Sequence, residues 1–213
     1  MDAGYFVECG DVLTNKLGIT DPAELQEREY QITTAKTLDV LNQDPPSVLD
    51  FDYLLSLHGA LFGDIYDFAG QVRTVNISKP DSSVPFAYAD YIKPYSDRIF
   101  SELKTRHYLT SLEKPEFVTG LAWLSSELNA LHPFREGNGR TIRLFLDQIC
   151  ANAGYVIDFN LAAREEILAA DRTAFAGDLS PLVALYTKIV SVIWTKQQKS
   201  AELPSNRQSL ISA

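Results

Sequence analysis

The sequence predicts an all-α fold, a helical bundle with one small β-hairpin set into it. Three observations carry this. Most of the chain repeats apolar residues at three- and four-residue steps, which gathers them on one face of a helix. These runs open on residues suited to capping a helix, and several close at Gly or Pro. One stretch, residues 71–87, carries β-branched residues with partial alternation and a turn in its middle, the pattern of a short hairpin. A chain of 213 residues that is 46% hydrophobic fits one domain with a sizeable core. We expect that domain over residues 1–198 and a polar, disordered tail over 199–213.

Residues 1–19 read as irregular. Asp21-Pro22-Ala23-Glu24 then starts a helix, with Asp21 as N-cap, Pro22 in the first turn and Glu24 completing a capping box. Leu25, Ile32, Ala35, Leu38 and Leu41 continue it as a core-facing helix. Pro45 and Pro46 end that run. A second helix spans about Asp50 to Phe62 and carries His58 among leucines, where a hydrogen-bonded structural histidine is expected. Gly63 to Gly70 is a loop. Gln71 to Lys79 and Val84 to Phe86 form the hairpin about the turn Pro80-Asp81-Ser82-Ser83. Tyr91 to Tyr108 is helical, with Pro94 in its first turn and His107 on the surface near its end. Lys114-Pro115-Glu116 starts the next helix, in which Trp123 is a core residue. Asn160 caps a helix running to about Arg172, and Ser180-Pro181 starts a last, largely apolar helix through Trp194.

Between the Lys114 helix and the Asn160 cap lies the densest chemistry in the chain: His132-Pro133-Phe134-Arg135-Glu136-Gly137-Asn138-Gly139-Arg140-Thr141-Ile142-Arg143. Apolar-periodic runs flank it, so it reads as helix, loop, helix. Gly137 and Gly139 permit positive φ and close backbone approach to a ligand. The helix expected to open at about Arg140 offers free N–H groups, and phosphate is a common occupant of such an end. Arg140 and Arg143, three apart, share a face and can hold phosphate oxygens. Glu136 offers a carboxylate to Mg²⁺. His132, at the end of the preceding helix, can act as a general base near neutral pH. The constellation points to transfer of a nucleotide phosphate to a hydroxyl.

The stretch resembles the Fic-domain signature H-x-F-x-[D/E]-G-N-G-R-x-x-R at every specified position. A chance match at one site is on the order of one in ten billion. Ile65-Tyr66-Asp67-Phe68-Ala69-Gly70 with Arg73 is similar to a second family segment, I-Y-x-[F/W]-A-G-x-x-R. The lead-in Asn15-Lys16-Leu17-Gly18-Ile19-Thr20 looks like that of short Fic toxins. The resemblance implies a compact Fic-type helical bundle and protein AMPylation, with ATP as co-substrate. It makes His132 the base and Glu136 the Mg²⁺ ligand. Gly137, Asn138 and Gly139 form the anion site, and Arg140 and Arg143 hold the outer phosphates. Phe134 has a structural role in the core. The hairpin becomes a flap that pairs with an extended target segment, with Ile77, Ser78 and Lys79 on that surface. The family's phosphorylating members place a lysine in the Gly-Asn-Gly part. Here that part is intact, which favours AMP transfer over a kinase-like reaction. Transfer of another nucleotide or of phosphocholine, and a non-enzymatic binding module, are the alternatives.

Regulation and setting follow from the same reading. Many Fic proteins carry an inhibitory helix with S/T-x-x-x-E-[G/N], whose glutamate pairs with the second motif arginine, here Arg143. Thr20 and Glu24 have that spacing, but Leu25 follows. The expectation is therefore a separate small antitoxin supplying the glutamate in trans. For the family's short toxins the implied targets are DNA gyrase and topoisomerase IV. A net charge of −9 argues against direct nucleic-acid binding. Cys9 and Cys150 are too few for a disulfide framework, no segment is apolar enough to span a membrane, and the start lacks a signal-peptide pattern. A cytoplasmic protein is expected.

Overall fold

The computed structural model describes residue 5 and residues 12–78 and 85–193. Seven α-helices occupy the described chain: α1 Pro22–Leu41, α2 Phe51–Phe62, α3 Ile92–Thr105, α4 Lys114–Leu131, α5 Asn138–Asn152, α6 Arg164–Phe175 and α7 Ser180–Ile189. Their starts follow the capping chemistry. Asp21 accepts the Glu24 N–H at 2.8 Å and Asp50 accepts the Tyr53 N–H at 2.9 Å, each satisfying a donor that the first turn leaves open. Pro22, Pro115 and Pro181 sit in first turns, where a missing N–H costs nothing.

Helix α4 is the hub, packing against α3, α5, α6 and α7, while α5 also meets α2. Phe117, Leu121, Leu124, Leu128 and Leu131 of α4 and Phe145 and Ile149 of α5 are fully buried. Buried polar groups within this core are paired: the Tyr186 hydroxyl donates to Ser125 Oγ at 2.7 Å, and Tyr53 to Gln148 Oε1 at 3.2 Å. The motif loop, residues 132–137, joins the two most buried helices. Its position is therefore set by core packing and not by surface chain. Among the described residues no helix is long and apolar enough to cross a membrane.

Several boundaries differ from expectation. The last helix stops at Ile189. Val190–Val192 leaves it as strand β2 and pairs antiparallel with β1, Tyr155–Ile157, in the register Tyr155↔Val192, Ile157↔Val190. The run Val190-Ser191-Val192-Ile193 suits an extended backbone as well as a helix, and the partner strand decides between them. Trp194 and the expected tail lie outside the described residues. Helix α6 begins at Arg164, not after Asn160. Asp158 accepts the Asn160 N–H at 3.0 Å, so Asn160 sits inside a short 3₁₀ turn that Asp158 starts. Trp123 is half-buried, with the Arg106 guanidinium 4.4 Å from its ring.

The expected hairpin differs more. Residues 71–78 and 85–88 form no strand. One side chain ties the two arms instead. Arg73, 2% exposed, donates from Nη1 to Val75 O at 2.6 Å and from Nη2 to Ala87 O at 2.5 Å. The Asn76 side chain accepts the Ala89 N–H at 2.8 Å. Lys79 and the turn lie outside the described residues; Ile77 and Ser78 are in chain without regular secondary structure.

Candidate active site

The site is built on a sharp change of direction after α4. His132 caps that helix in the left-handed region, φ 45°, with its N–H still donating to Leu128 O at 3.0 Å. A non-glycine residue there is uncommon and costs on the order of 1 kcal/mol, so the surroundings must hold it. They do so from three sides. Arg73 Nε donates to His132 O at 2.8 Å, the Arg73 backbone N–H donates to Pro133 O at 2.9 Å, and the Phe86 ring stacks on the imidazole with centroids 3.7 Å apart. The segment carrying Arg73 and Phe86 is thus fastened to the histidine itself.

The loop beyond His132 is fixed by two side chains. Phe134 is fully buried and stacks on His58 at 3.8 Å. Asn138, also buried, accepts the Phe134 N–H at 2.9 Å and donates back to Phe134 O at 2.8 Å. This qualifies the expected part of Asn138 in the anion site. Its amide is consumed in closing the loop, and only its backbone N–H remains to face an anion. His58 supports the loop from beneath, as expected of a structural histidine. It accepts the Gly70 N–H at Nδ1, 2.8 Å, and is bonded through Nε2 to Glu136 O, 3.0 Å. Those roles require the neutral ring with its proton on Nε2, and burial pulls the pKa down to about 4.

Helix α5 starts two residues earlier than expected, at Asn138, with Gly137 as N-cap at φ 76°. A Cβ at Gly137 would stand 2.3 Å from the Phe62 ring, so glycine is required there twice over. The first intrahelical acceptor bond is Thr141 N–H to Gly137 O at 3.1 Å, which leaves the N–H groups of Asn138, Gly139 and Arg140 as the open end of the helix. Gly139 is exposed, and the Arg143 Nη1 lies 3.4 Å from where its Cβ would stand. The Arg143 guanidinium therefore folds back over that end. Arg143 keeps exposed surface but stands in a concave setting, where desolvation first and the Arg140 charge second lower its pKa.

Arg140 is held more tightly. Its guanidinium lies 4.8 Å from the Phe62 ring centroid, pairs with Glu29 of α1, and approaches Glu136 Oε1 at 3.5 Å. Glu136 takes the Gly137 N–H on the same Oε1 at 2.8 Å, leaving Oε2 with its lone pairs, and its side chain is 45% exposed. Among the described residues no group of three or more His, Cys, Asp or Glu could hold a metal. A single half-exposed carboxylate still fits Mg²⁺, which keeps several waters and takes substrate phosphates as ligands. Beside these groups opens a cavity of about 520 Å³ that Glu29, Glu136, Arg140 and Arg164 line on its polar side. Arg164 also lines a second cavity with Arg143.

Sequence reasoning missed Glu29, Phe86 and Arg164. Glu29 did carry a signal: it stands four residues from Leu25 and from Thr33, on the buried face of α1. A charge in such a stripe needs a partner. Arg73 was visible only as the last residue of the Ile65–Gly70 pattern, and Arg164 carried no signal.

Known proteins resemble this chain in sequence and in fold. The Fic/DOC family model matches residues 48–150. A Sinorhizobium fredii protein named probable protein adenylyltransferase is 37% identical over 180 residues, covering 84% of this chain and 91% of that protein. The Escherichia coli probable protein adenylyltransferase Fic is 33% identical over 181 residues, covering 85% and 88%. Among solved structures, the N-terminal Fic domain of a VirB-translocated Bep effector from Bartonella quintana with bound ADP superposes with a TM-score of 0.87 at 28% identity, covering 92% of this chain and 97% of that one. The BepC protein of Bartonella tribocorum with bound AMPPNP gives 0.83 at 27%, covering 88% and 96%.

Proposed function

The chain belongs to the Fic/DOC family, and from that premise we propose that it is a protein adenylyltransferase, moving AMP from ATP to a hydroxyl of a target protein. One observation carries the assignment. The left-handed turn at His132 leads, through the Asn138-clamped loop, straight into the open N-terminus of α5, with Arg143 folded over it. A base and a polyphosphate site then lie on one rigid loop.

In this reading His132 takes the proton from the target hydroxyl. The oxygen attacks the α-phosphorus in line, forming a new P–O bond as the bond to the β-phosphate oxygen breaks, and pyrophosphate leaves. The N–H groups at the start of α5 hold phosphate oxygens, and Arg140 and Arg143 hold the β- and γ-phosphates, whose charge grows in the leaving group. Glu136 would hold Mg²⁺, whose chemistry there is to neutralise the phosphates when bound. Ile77 and Ser78, with Lys79 beyond them, offer main-chain groups to an extended target segment.

Three finer proposals rest on the sequence. A small antitoxin supplies a glutamate to Arg143 in trans, since the chain's nearest match to the inhibitory pattern, Thr20 to Glu24, is consumed in starting α1. The targets are type II topoisomerases, gyrase or topoisomerase IV, which follows from resemblance to short Fic toxins. A cytoplasmic setting is supported by the scarcity of cysteine, of which Cys150 is a buried free thiol.

The test is incubation with Mg²⁺ and α-phosphate-labelled ATP in a bacterial lysate, beside His132→Ala. A labelled band that needs His132 establishes AMP transfer, and its mass identifies the target. Label entering only from γ-labelled ATP would overturn the assignment. Purified chain that stays inactive until one of its own residues is changed would overturn the antitoxin proposal.

A further inference from the structure

We propose that Glu29 of α1 is a positioning residue for ATP binding, acting through Arg140. The inference deepens the proposed function and rests on its assignment of Arg140 to the outer phosphates. Glu29 is 8% exposed, although it is a carboxylate on a helix with solvent on its other side. One of its oxygens, Oε1, accepts from Arg140 Nη2; the other, Oε2, accepts from the Tyr66 hydroxyl. Both oxygens are thus occupied by groups from separate parts of the chain, one of them the phosphate-holding arginine. The Phe62 face beneath the guanidinium completes the seat.

The arrangement fixes an otherwise mobile side chain. Arginine loses substantial rotamer entropy when it is ordered, and a ligand that had to order Arg140 itself would bind more weakly. Here Glu29 uses only Nη2, so donors on Nη1 and Nε remain for phosphate. Tyr66 keeps its proton toward the carboxylate: burial first, then the hydrogen bond to Glu29, pushes its pKa far above the ordinary range.

Simple electrostatics predicts the opposite sign, which makes the inference testable. Glu29 places a negative charge on the wall of the cavity meant for a polyanion. If charge were all that mattered, Glu29→Gln would tighten ATP binding. If Glu29 positions Arg140, the same change weakens it.

The experiment is calorimetric titration of the full chain with AMPPNP and with AMP, for wild type, Glu29→Gln, Arg140→Ala and the double variant, with Tm measured for each. We expect Glu29→Gln to weaken AMPPNP about tenfold, the loss that follows removal of one charge-assisted hydrogen bond. AMP, which lacks the outer phosphates, is unchanged, and Glu29→Gln has no further effect in the Arg140→Ala background. Unchanged or tighter AMPPNP binding by Glu29→Gln overturns the proposal, as does an equal loss with or without Arg140. If Arg140→Ala binds AMPPNP like wild type, the phosphate assignment itself has failed. Should Glu29→Gln not fold, Tyr66→Phe, which removes only the hydroxyl held by Glu29, gives a smaller loss in the same direction; no loss there overturns the proposal.

Discussion

At the scale of single residues, two groups that hold the motif loop in place make measurable predictions. His58 is neutral because both ring nitrogens are committed and the ring is fully buried. Its pKa falls from 6.5 to about 4 on folding. Between those values the unfolded chain binds a proton that the folded chain refuses, so stability rises with pH across the window. The contribution is fully present above pH 6.5 and is lost progressively as pH falls toward 4, up to about 3 kcal/mol. Carboxylates also titrate there, so the measurement compares Tm against pH for wild type and His58→Gln. The variant is less stable at neutral pH and shows a shallower acid slope; equal slopes would place the His58 pKa near its unfolded value. Gly137→Ala meets two obstacles at once, a positive φ and a Cβ 2.3 Å from the Phe62 ring. A loss of at least about 2 kcal/mol is expected in denaturant unfolding, with transfer activity abolished because α5 no longer starts where the phosphates need it.

At the scale of elements, capping chemistry explains why most helix starts were legible. Asp21, Asp50 and three first-turn prolines act within a few residues of themselves, and a sequence displays such local causes directly. The end of α7 and the segment 71–88 were not legible, because a distant partner decides each. Val190–Val192 is a strand only because Tyr155–Ile157 is beside it. The arms around residues 75 and 87 are joined by a buried guanidinium, a device that no β-propensity reports. Within the site, the motif residues stood together in sequence, whereas Glu29 lies 111 residues from the arginine it holds. Arg73 sets the clearest element-scale prediction. It links the chain at residues 75 and 87 to the carbonyl of His132, and its burial lowers its pKa to about 10, still charged at neutral pH. Arg73→Met leaves three part-buried carbonyls short of a donor. We expect a loss on the order of 3 kcal/mol in denaturant unfolding and a fall in transfer rate larger than the fall in AMPPNP affinity, since His132 is disturbed and α5 is not. Equal falls in rate and affinity would mean that Arg73 supports the loop as a whole and not the histidine.

At the scale of the whole molecule, the chain must hold a polyanion while carrying a net charge of −9. Long-range potential therefore opposes ATP, and attraction must be local and dense. The fold provides this by bringing the first residue of α6 to the rim that α5 forms. Arg164 lines one cavity with Arg140 and another with Arg143, and its nearness contributes to lowering the Arg143 pKa. It is exposed and makes no hydrogen bond or ion pair with a described residue, so it is available to a ligand in a way that Arg140 is not. If a nucleotide seated on α5 directs its outer phosphates toward α6, this third guanidinium meets them. Arg164→Ala should therefore weaken AMPPNP about three- to fivefold, the modest effect of an exposed charge, leave AMP affinity unchanged, and leave Tm within a degree or so of wild type. Raising salt should shrink the difference between wild type and variant, because an exposed attraction is screened first. A loss shared equally by AMP and AMPPNP would instead put Arg164 beside the α-phosphate or the base, and the triphosphate would then have to run toward α1 rather than toward α6.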